Sequence, residues 1–439
     1  MKIGKVFQNK NWLVFSILLL SVLLLFSVLA ACAKPAAAPP EFTKGFQTVK
    51  PETVGLSSER LNEIGSVLQA DVQEGKINGA VLLVAREGKI AYFNSFGYRD
   101  EKKTLPMEKD SIFRIYSMTK SITAVAVAML MEEGKLALTD PVEKYIPSFK
   151  DIQIGEFSKD AAGKDVLTMV KPSSVMTIHD LCKHTAGLGY WFTPPTEIQA
   201  LYLQAGMDKL EGFTNAEVCD KIARLPLVEN PGIKYRYGVS YDVLGRVIEV
   251  VSGMPLDKFF EQRIYEPLGM NDSGFQVTGE DVARLAYLDP EWGLYIDPTS
   301  PTRKYWSGGG GSVSTAMDFA RFAQMLLNGG ELEGKRLLKP ETVAFITSDQ
   351  LGPLGGRDDI LYIPLRGFSV GFDFYVRVDT KTVDFPANIG EFLKTGAAGT
   401  VYFVYPKEKL VAVFMVSAPD LRVYYRNLIE RMIYQAIAD

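Results

Sequence analysis

The stretch from about Ser117 to Glu133, SMTKSITAVAVAMLMEE, reads as a helix without a polar face. Its segment ITAVAVAMLM is apolar all round, so other elements must wrap this helix and bury it in the middle of the fold. Gly134 stops it, and Pro141 follows soon after. Upstream, Leu61, Ile64, Leu68 and Val72 recur at helical spacing behind Ser57 and Ser58 as capping candidates. AVLLVAREGKIAYFNSFG then reads as two strands with a turn at Arg86 to Lys89. The C-terminal part returns to strands in FSVGFDFYVRVD, TVYFVYP and LVAVFMVS, closed by a last helix. From about Asp151 to Asn328, helical patterns mix with Gly/Pro-rich loops. Strands at both ends with helices between predict an α/β (α+β) fold. One antiparallel sheet is built from both chain ends and flanked by helices, with a mostly helical subdomain inserted.

The first residues follow other rules. Lys2, Lys5 and Lys10 precede the uncharged run LVFSILLLSVLLLFSVL, which exits through Leu29-Ala30-Ala31-Cys32. A basic start, an apolar run and small residues at the exit describe a secretory signal peptide over 1–31. The exit is similar to a bacterial lipobox, with Cys32 as the lipidated first residue. An uncleaved anchor is the alternative, because the run approaches spanning length. Either way the body is expected outside the cytoplasm, held at a membrane. A Pro/Ala-rich tether spans 32–45, and 46–439 is the remaining domain.

The chain has 439 residues, and its net charge moves from −4 to −7 once the three leader lysines leave. A mildly acidic body offers nucleic acid no general attraction. Cys182 and Cys219 either pair or stay free. No HExxH or CxxC is present, so neither metal nor cofactor is expected. The glycines Gly308 to Gly311 suit a tight loop better than a phosphate cradle.

Two serines invite a nucleophile assignment. Ser369 stands in GFSVG, a G-x-S-x-G string. A nucleophile elbow needs a helix after the serine and a histidine downstream. Here a strand pattern follows, and the two histidines, His179 and His184, both lie upstream. Ser369 is therefore a decoy. Ser117 has Lys120 three residues on, at the start of the buried helix, where both side chains share one face. Burial and the positive helix N-terminus push the amine toward its neutral, basic form. The Ser117 N–H at the helix start is a ready oxyanion donor.

Five segments occur in order: IFRIYSMTKSITAVAVAMLMEEGKLALTDPVEKYIP, TIHDLCKHTAGL, PGIKYRYGVSYDVLGRVIE, GGGGSVSTAMDFARFAQMLLNGG and KTGAAGTVYFVYPKEKLVAVFM. Together they resemble the serine β-lactamase and penicillin-binding-protein superfamily, in its class C branch, close to the family VIII carboxylesterases. The resemblance implies Ser117 as acylated nucleophile, with Lys120 and Tyr237 sharing its proton as one titrating unit. It implies Lys394, Thr395 and Gly396 as a K-T-G strand facing a substrate carboxylate, and the Ala397 N–H as second oxyanion donor. His184 falls in a structural turn. Val239 replaces the family's Y-x-N asparagine, and that segment is one residue short. The chain is esterase-like at the tyrosine and β-lactamase-like at the strand.

The expectation is a serine hydrolase acting on a small ester or amide through an acyl-enzyme. The alternatives are a DD-peptidase or weak class C β-lactamase acting on wall peptides or β-lactams, or a non-turnover β-lactam-sensing or surface-binding lipoprotein. Intact Lys394 and Thr395 predict that substrates with a free carboxylate outperform neutral ones.

Overall fold

The computed structural model describes residues 46–193, 196–353 and 367–438. The leader, the tether and the lipobox residue Cys32 lie outside them.

Among the described residues, the centre is an eight-stranded sheet. Its N-terminal strands are β1 (Gln47–Thr48), β2 (Gly79–Arg86) and β3 (Lys89–Gly97). Its C-terminal strands are β4 (Phe368–Val370), β5 (Tyr375–Arg377), β6 (Phe392–Thr395), β7 (Val401–Tyr405) and β8 (Leu410–Val416). The spatial order is β1-β3-β2-β8-β7-β6-β5-β4, antiparallel except for β1 beside β3. The two chain ends meet at β2 and β8, in unbroken register from Arg86↔Leu410 to Ala80↔Val416. This is the sheet expected from the apolar runs at both ends.

Alternation along these strands sorts the core into two clusters. Val81, Leu83, Ala85, Val411, Val413 and Met415 face one way. Ala80, Leu82, Val84, Ala412, Phe414 and Val416 face the other, packed with helices α1 (Ser58–Gln73) and α5 (Arg422–Ala436). Ser57 caps α1 by accepting from the Arg60 N–H at 3.3 Å. On the first face lie the apolar helix α2 (Thr119–Glu132), α3 (Ser240–Ser252) and α4 (Ala316–Leu327). Every residue of α2 from Thr119 to Leu130 is buried, as a helix without a polar side requires. Each fully buried Val, Leu, Ile or Met is worth about 1.5–3 kcal/mol, so this helix is a main anchor of the core.

Two details differ from expectation. The inserted region has no core of its own: Cys182, Tyr202, Val218 and Leu244 share one cluster with Val81 and Val413 of the sheet. It also contains a hairpin of Ile154–Lys159 and Asp165–Val170. Phe157, Leu167 and Met169 of this hairpin face solvent, so its apolar residues give no helical or core-facing period to read. Cys182 and Cys219 are free and buried, which settles the pairing left open by their number.

Candidate active site

Ser117 sits in a 3-10 turn, Tyr116–Met118, that runs into α2. From 111 to 130 it is the one residue that is not buried. Tyr116 just before it has φ +44°, a left-handed backbone that a non-glycine residue adopts at a cost of about 1–3 kcal/mol. Its ring meets Trp292 edge-on at 5.4 Å. The chain thus turns sharply and presents the serine hydroxyl at the mouth of the buried helix.

Two side chains converge on that hydroxyl. Lys120 Nζ lies 3.2 Å from Ser117 Oγ, one turn along α2. Tyr237, just before α3, donates from its hydroxyl to Ser117 Oγ at 2.6 Å. Lys120 also donates to the Gly309 carbonyl at 2.5 Å. Burial pulls Lys120 below the ordinary lysine value, opposed by the carboxylates of Asp373 and Asp242. Burial, reinforced by Asp373, holds the Tyr237 phenol well above its ordinary value. The serine therefore faces an amine inclined to be neutral and a phenol that keeps its proton. That is the charge arrangement in which a serine proton can be removed and another returned.

The glycine loop supplies the third side. Buried Asp242, in the first turn of α3, accepts from Tyr305 at 2.7 Å, Ser307 at 2.5 Å, the Gly309 N–H at 3.2 Å and Tyr190 at 3.4 Å. A Cβ on Gly309 would lie 2.5 Å from Asp242 Oδ2, and one on Gly308 2.5 Å from the Tyr241 carbonyl. The glycines let the loop lie flat on α3, aiming the Gly309 carbonyl at Lys120. The loop is a tight turn, as expected.

The K-T-G strand closes the site from β6. Gly396 is pressed against the nucleophile segment, where an added Cβ would meet the Ile115 carbonyl at 2.5 Å. The Ala397 N–H that follows makes no hydrogen bond among the described residues, as an oxyanion donor should not. Thr395 Oγ1 is buried and likewise without a partner. Lys394 departs from the expected arrangement. Its ammonium is fully buried and lies 2.6 Å from Asp373 Oδ1. His184 Nε2 lies 3.2 Å from the same oxygen, and its Nδ1 accepts the Gly238 N–H at 3.5 Å. This is the pattern of a neutral imidazole, and burial pulls His184 below its usual value.

The remaining candidates fall elsewhere. Ser369 lies in β4, paired with Val376, and donates to Asp349 at 2.5 Å. It sits in a strand and not on an elbow. His179 contacts Gln350 at 3.2 Å. Val239 is buried where α3 begins. Among the described residues, no cluster of His, Cys, Asp or Glu suits a metal.

Residues 64–433 match the family described as Beta-lactamase. The chain belongs to that family. Protein Rv1367c of Mycobacterium tuberculosis is 34% identical, over 81% of this chain and 90% of its own. Esterase EstB of Burkholderia gladioli is 30% identical, over 78% and 86%. A putative D-alanyl-D-alanine carboxypeptidase of Escherichia coli K12 is 27% identical, over 90% of each. Among solved structures, "EstCE1, a hydrolase with promiscuous acyltransferase activity" superposes with a TM-score of 0.71. It is 26% identical and covers 87% of this chain and 98% of its own. This Beta-lactamase-family chain is thus similar to both esterases and a putative carboxypeptidase, and it shares the fold of EstCE1.

The sequence reading missed Asp242, Asp373 and the Gly309 carbonyl. Asp242 resembles any first-turn acidic residue, and Asp373 hides inside the GFSVGFD string set aside with Ser369. Nothing local announces either as a partner of a lysine far away in the chain.

Proposed function

We propose that the protein is a serine hydrolase of small esters or amides that works through an acyl-enzyme on Ser117, with carboxylesterase-like activity. The observation carrying this reading is the convergence of Lys120 Nζ and the Tyr237 hydroxyl on Ser117 Oγ, at 3.2 and 2.6 Å. Lys120 takes the serine proton as Oγ attacks the carbonyl carbon, and the carbonyl oxygen becomes an oxyanion facing the N–H groups of Ser117 and Ala397. The C–O or C–N bond to the leaving group then breaks, and Tyr237 hands that group a proton, regaining one from Lys120. Water enters by the same route in reverse and releases the acid. No step needs a cofactor.

The likeness to EstB favours ester substrates, and so does Val239, which removes a side-chain amide partner for acylamino groups. The likeness to the E. coli relative supports a second reading, a DD-peptidase or weak β-lactamase. The full chain, offered a chromogenic ester and a chromogenic cephalosporin, separates them. Ester turnover with a transient acyl mass on Ser117 is expected. A lasting β-lactam adduct without ester turnover would make the protein a sensor.

For location we propose a lipoprotein held outside the cytoplasm through Cys32, on the strength of the leader and lipobox alone. Cys32→Ala is expected to leave an unprocessed precursor, and an acylated N-terminus in that variant would end the proposal.

A further inference from the structure

One buried group beside the site exchanges no proton in the chemistry above and acts there only through its charge. Asp373 lies in the turn between β4 and β5, at φ +58°, a left-handed backbone uncommon for a non-glycine residue. Its side chain has no exposed surface. One oxygen, Oδ1, lies 2.6 Å from Lys394 Nζ and 3.2 Å from His184 Nε2. His184 is equally buried, also in a left-handed conformation at φ +56°, and is tied through Nδ1 to the backbone next to Tyr237. The Lys394 ammonium is further enclosed by the rings of Tyr375, at 4.0 Å, and Tyr237, at 5.2 Å. Two strained backbone positions and three elements thus combine to hold one lysine against a carboxylate.

We propose that Asp373, braced by His184, withdraws Lys394 from substrate recognition, so that the site takes an uncharged acyl group and discriminates against acyl groups bearing a carboxylate. This rests on Ser117 being the acylated nucleophile. A carboxylate arriving beside Lys394 meets an ion pair of no net charge, and must shed its own hydration without a cation free to replace it. An uncharged acyl chain finds apolar surface on both flanks. Tyr190 and Phe192 stack at 4.5 Å on the Tyr237 side. Trp292 and Tyr295 pack with Tyr116 and Ala397 on the other. The unpartnered Thr395 hydroxyl remains as a neutral hydrogen-bonding group. Asp373 and His184 are positioning residues here, acting through Lys394.

The test compares kcat/KM of the full-length protein for p-nitrophenyl valerate and the p-nitrophenyl hemi-ester of glutaric acid, matched in length and different in charge. Wild type is expected to prefer the neutral ester. Asp373→Gly removes the carboxylate and suits the left-handed backbone, and should shift the ratio toward the hemi-ester by about tenfold, through its KM. Asp373→Gly/Lys394→Met should cancel that shift. Should the single variant fail to fold, Asp373→Asn/Lys394→Met removes both charges at once and should keep the wild-type ratio within about threefold. A wild type favouring the hemi-ester overturns the proposal. So does an unmoved ratio in folded Asp373→Gly, or a selective loss of hemi-ester hydrolysis in Asp373→Asn/Lys394→Met. Labelling of wild type by a fluorophosphonate tells the two readings apart. No label on Ser117 sinks the hydrolase and this inference together, whereas a label with the wrong ratios sinks this inference only.

Discussion

Lys120 and Lys394 lie against the same tyrosine. Their ammonium nitrogens are 4.7 and 5.2 Å from the centre of the Tyr237 ring, and both are buried. Burial pulls both below the ordinary lysine value, in Lys394 against the opposing pull of the Asp373 carboxylate in contact with it. What separates them is the group in contact. Lys120 touches a hydroxyl and a peptide carbonyl, both neutral, while Asp242 is kept behind the glycine loop. Lys394 touches a carboxylate. A lysine among neutral acceptors can lose its proton and regain it. A lysine in a buried ion pair is a brace, because releasing its proton strands an uncompensated charge. The comparison teaches that burial alone does not make a base; the identity of the acceptor does.

The comparison can be broken in several ways. Ser117→Ala should reduce kcat for a neutral p-nitrophenyl ester by about 10⁴-fold or more, and retained turnover would remove the reason to call Lys120 a base at all. Lys120→Met should cost about 10²–10⁴-fold in kcat while leaving the thermal midpoint near wild type. Lys394→Met should show the opposite balance: a smaller loss of kcat, with about 3–5 kcal/mol of stability removed because Asp373 is left buried and unpaired. If kinetics and melting give the reverse pattern, the roles assigned to the two lysines are exchanged.

The pH profile sharpens the same point. A depressed Lys120 pKa means the neutral amine is present at lower pH than an ordinary lysine allows. The kcat/KM for a neutral ester should therefore rise with pH through a midpoint below the ordinary value of about 10.4, and fall on acidification as the amine gains its proton. This limb should vanish in Lys120→Met. A profile that rises only near the ordinary lysine value would show that burial leaves Lys120 unshifted. The smallest effect is expected at Ser369→Ala, which loses one hydrogen bond to Asp349, worth about 0.5–1.5 kcal/mol, and should change kcat less than about twofold. A collapse of kcat there would reopen the elbow reading.

Much of this architecture could be read from local pattern. The run from Ile122 to Met131, polar only at Thr123, reads as a buried helix, and the strand patterns at both ends read as one sheet. Ser117 and Lys120 are three residues apart, so their proximity follows from helical geometry. The charges that govern the two lysines were not legible in the same way. Asp373 reaches Lys394 of β6 from the β4–β5 turn, and Asp242 reaches Lys120 through a loop from another part of the chain. Such pairings depend on tertiary placement and leave no period in the sequence. The free-carboxylate preference expected from Lys394 and Thr395 was drawn without sight of the Asp373 partner.

The seam between β2 and β8 has a consequence for how the chain is made. Arg86 in β2 donates to the backbone of Glu408, 322 residues later. At a synthesis rate of about 5–20 residues per second, the N-terminal hairpin waits between about 15 and 60 s for the strand that completes it. During that interval β2 presents an unpaired edge and, on the side away from α1, an apolar face without its later helices. The nucleophile helix, whose residues need cover on every side, is exposed for nearly as long. The last thirty residues therefore decide when the molecule folds. A chain cut before Leu410 lacks the partner of β2 and should be an aggregation-prone species.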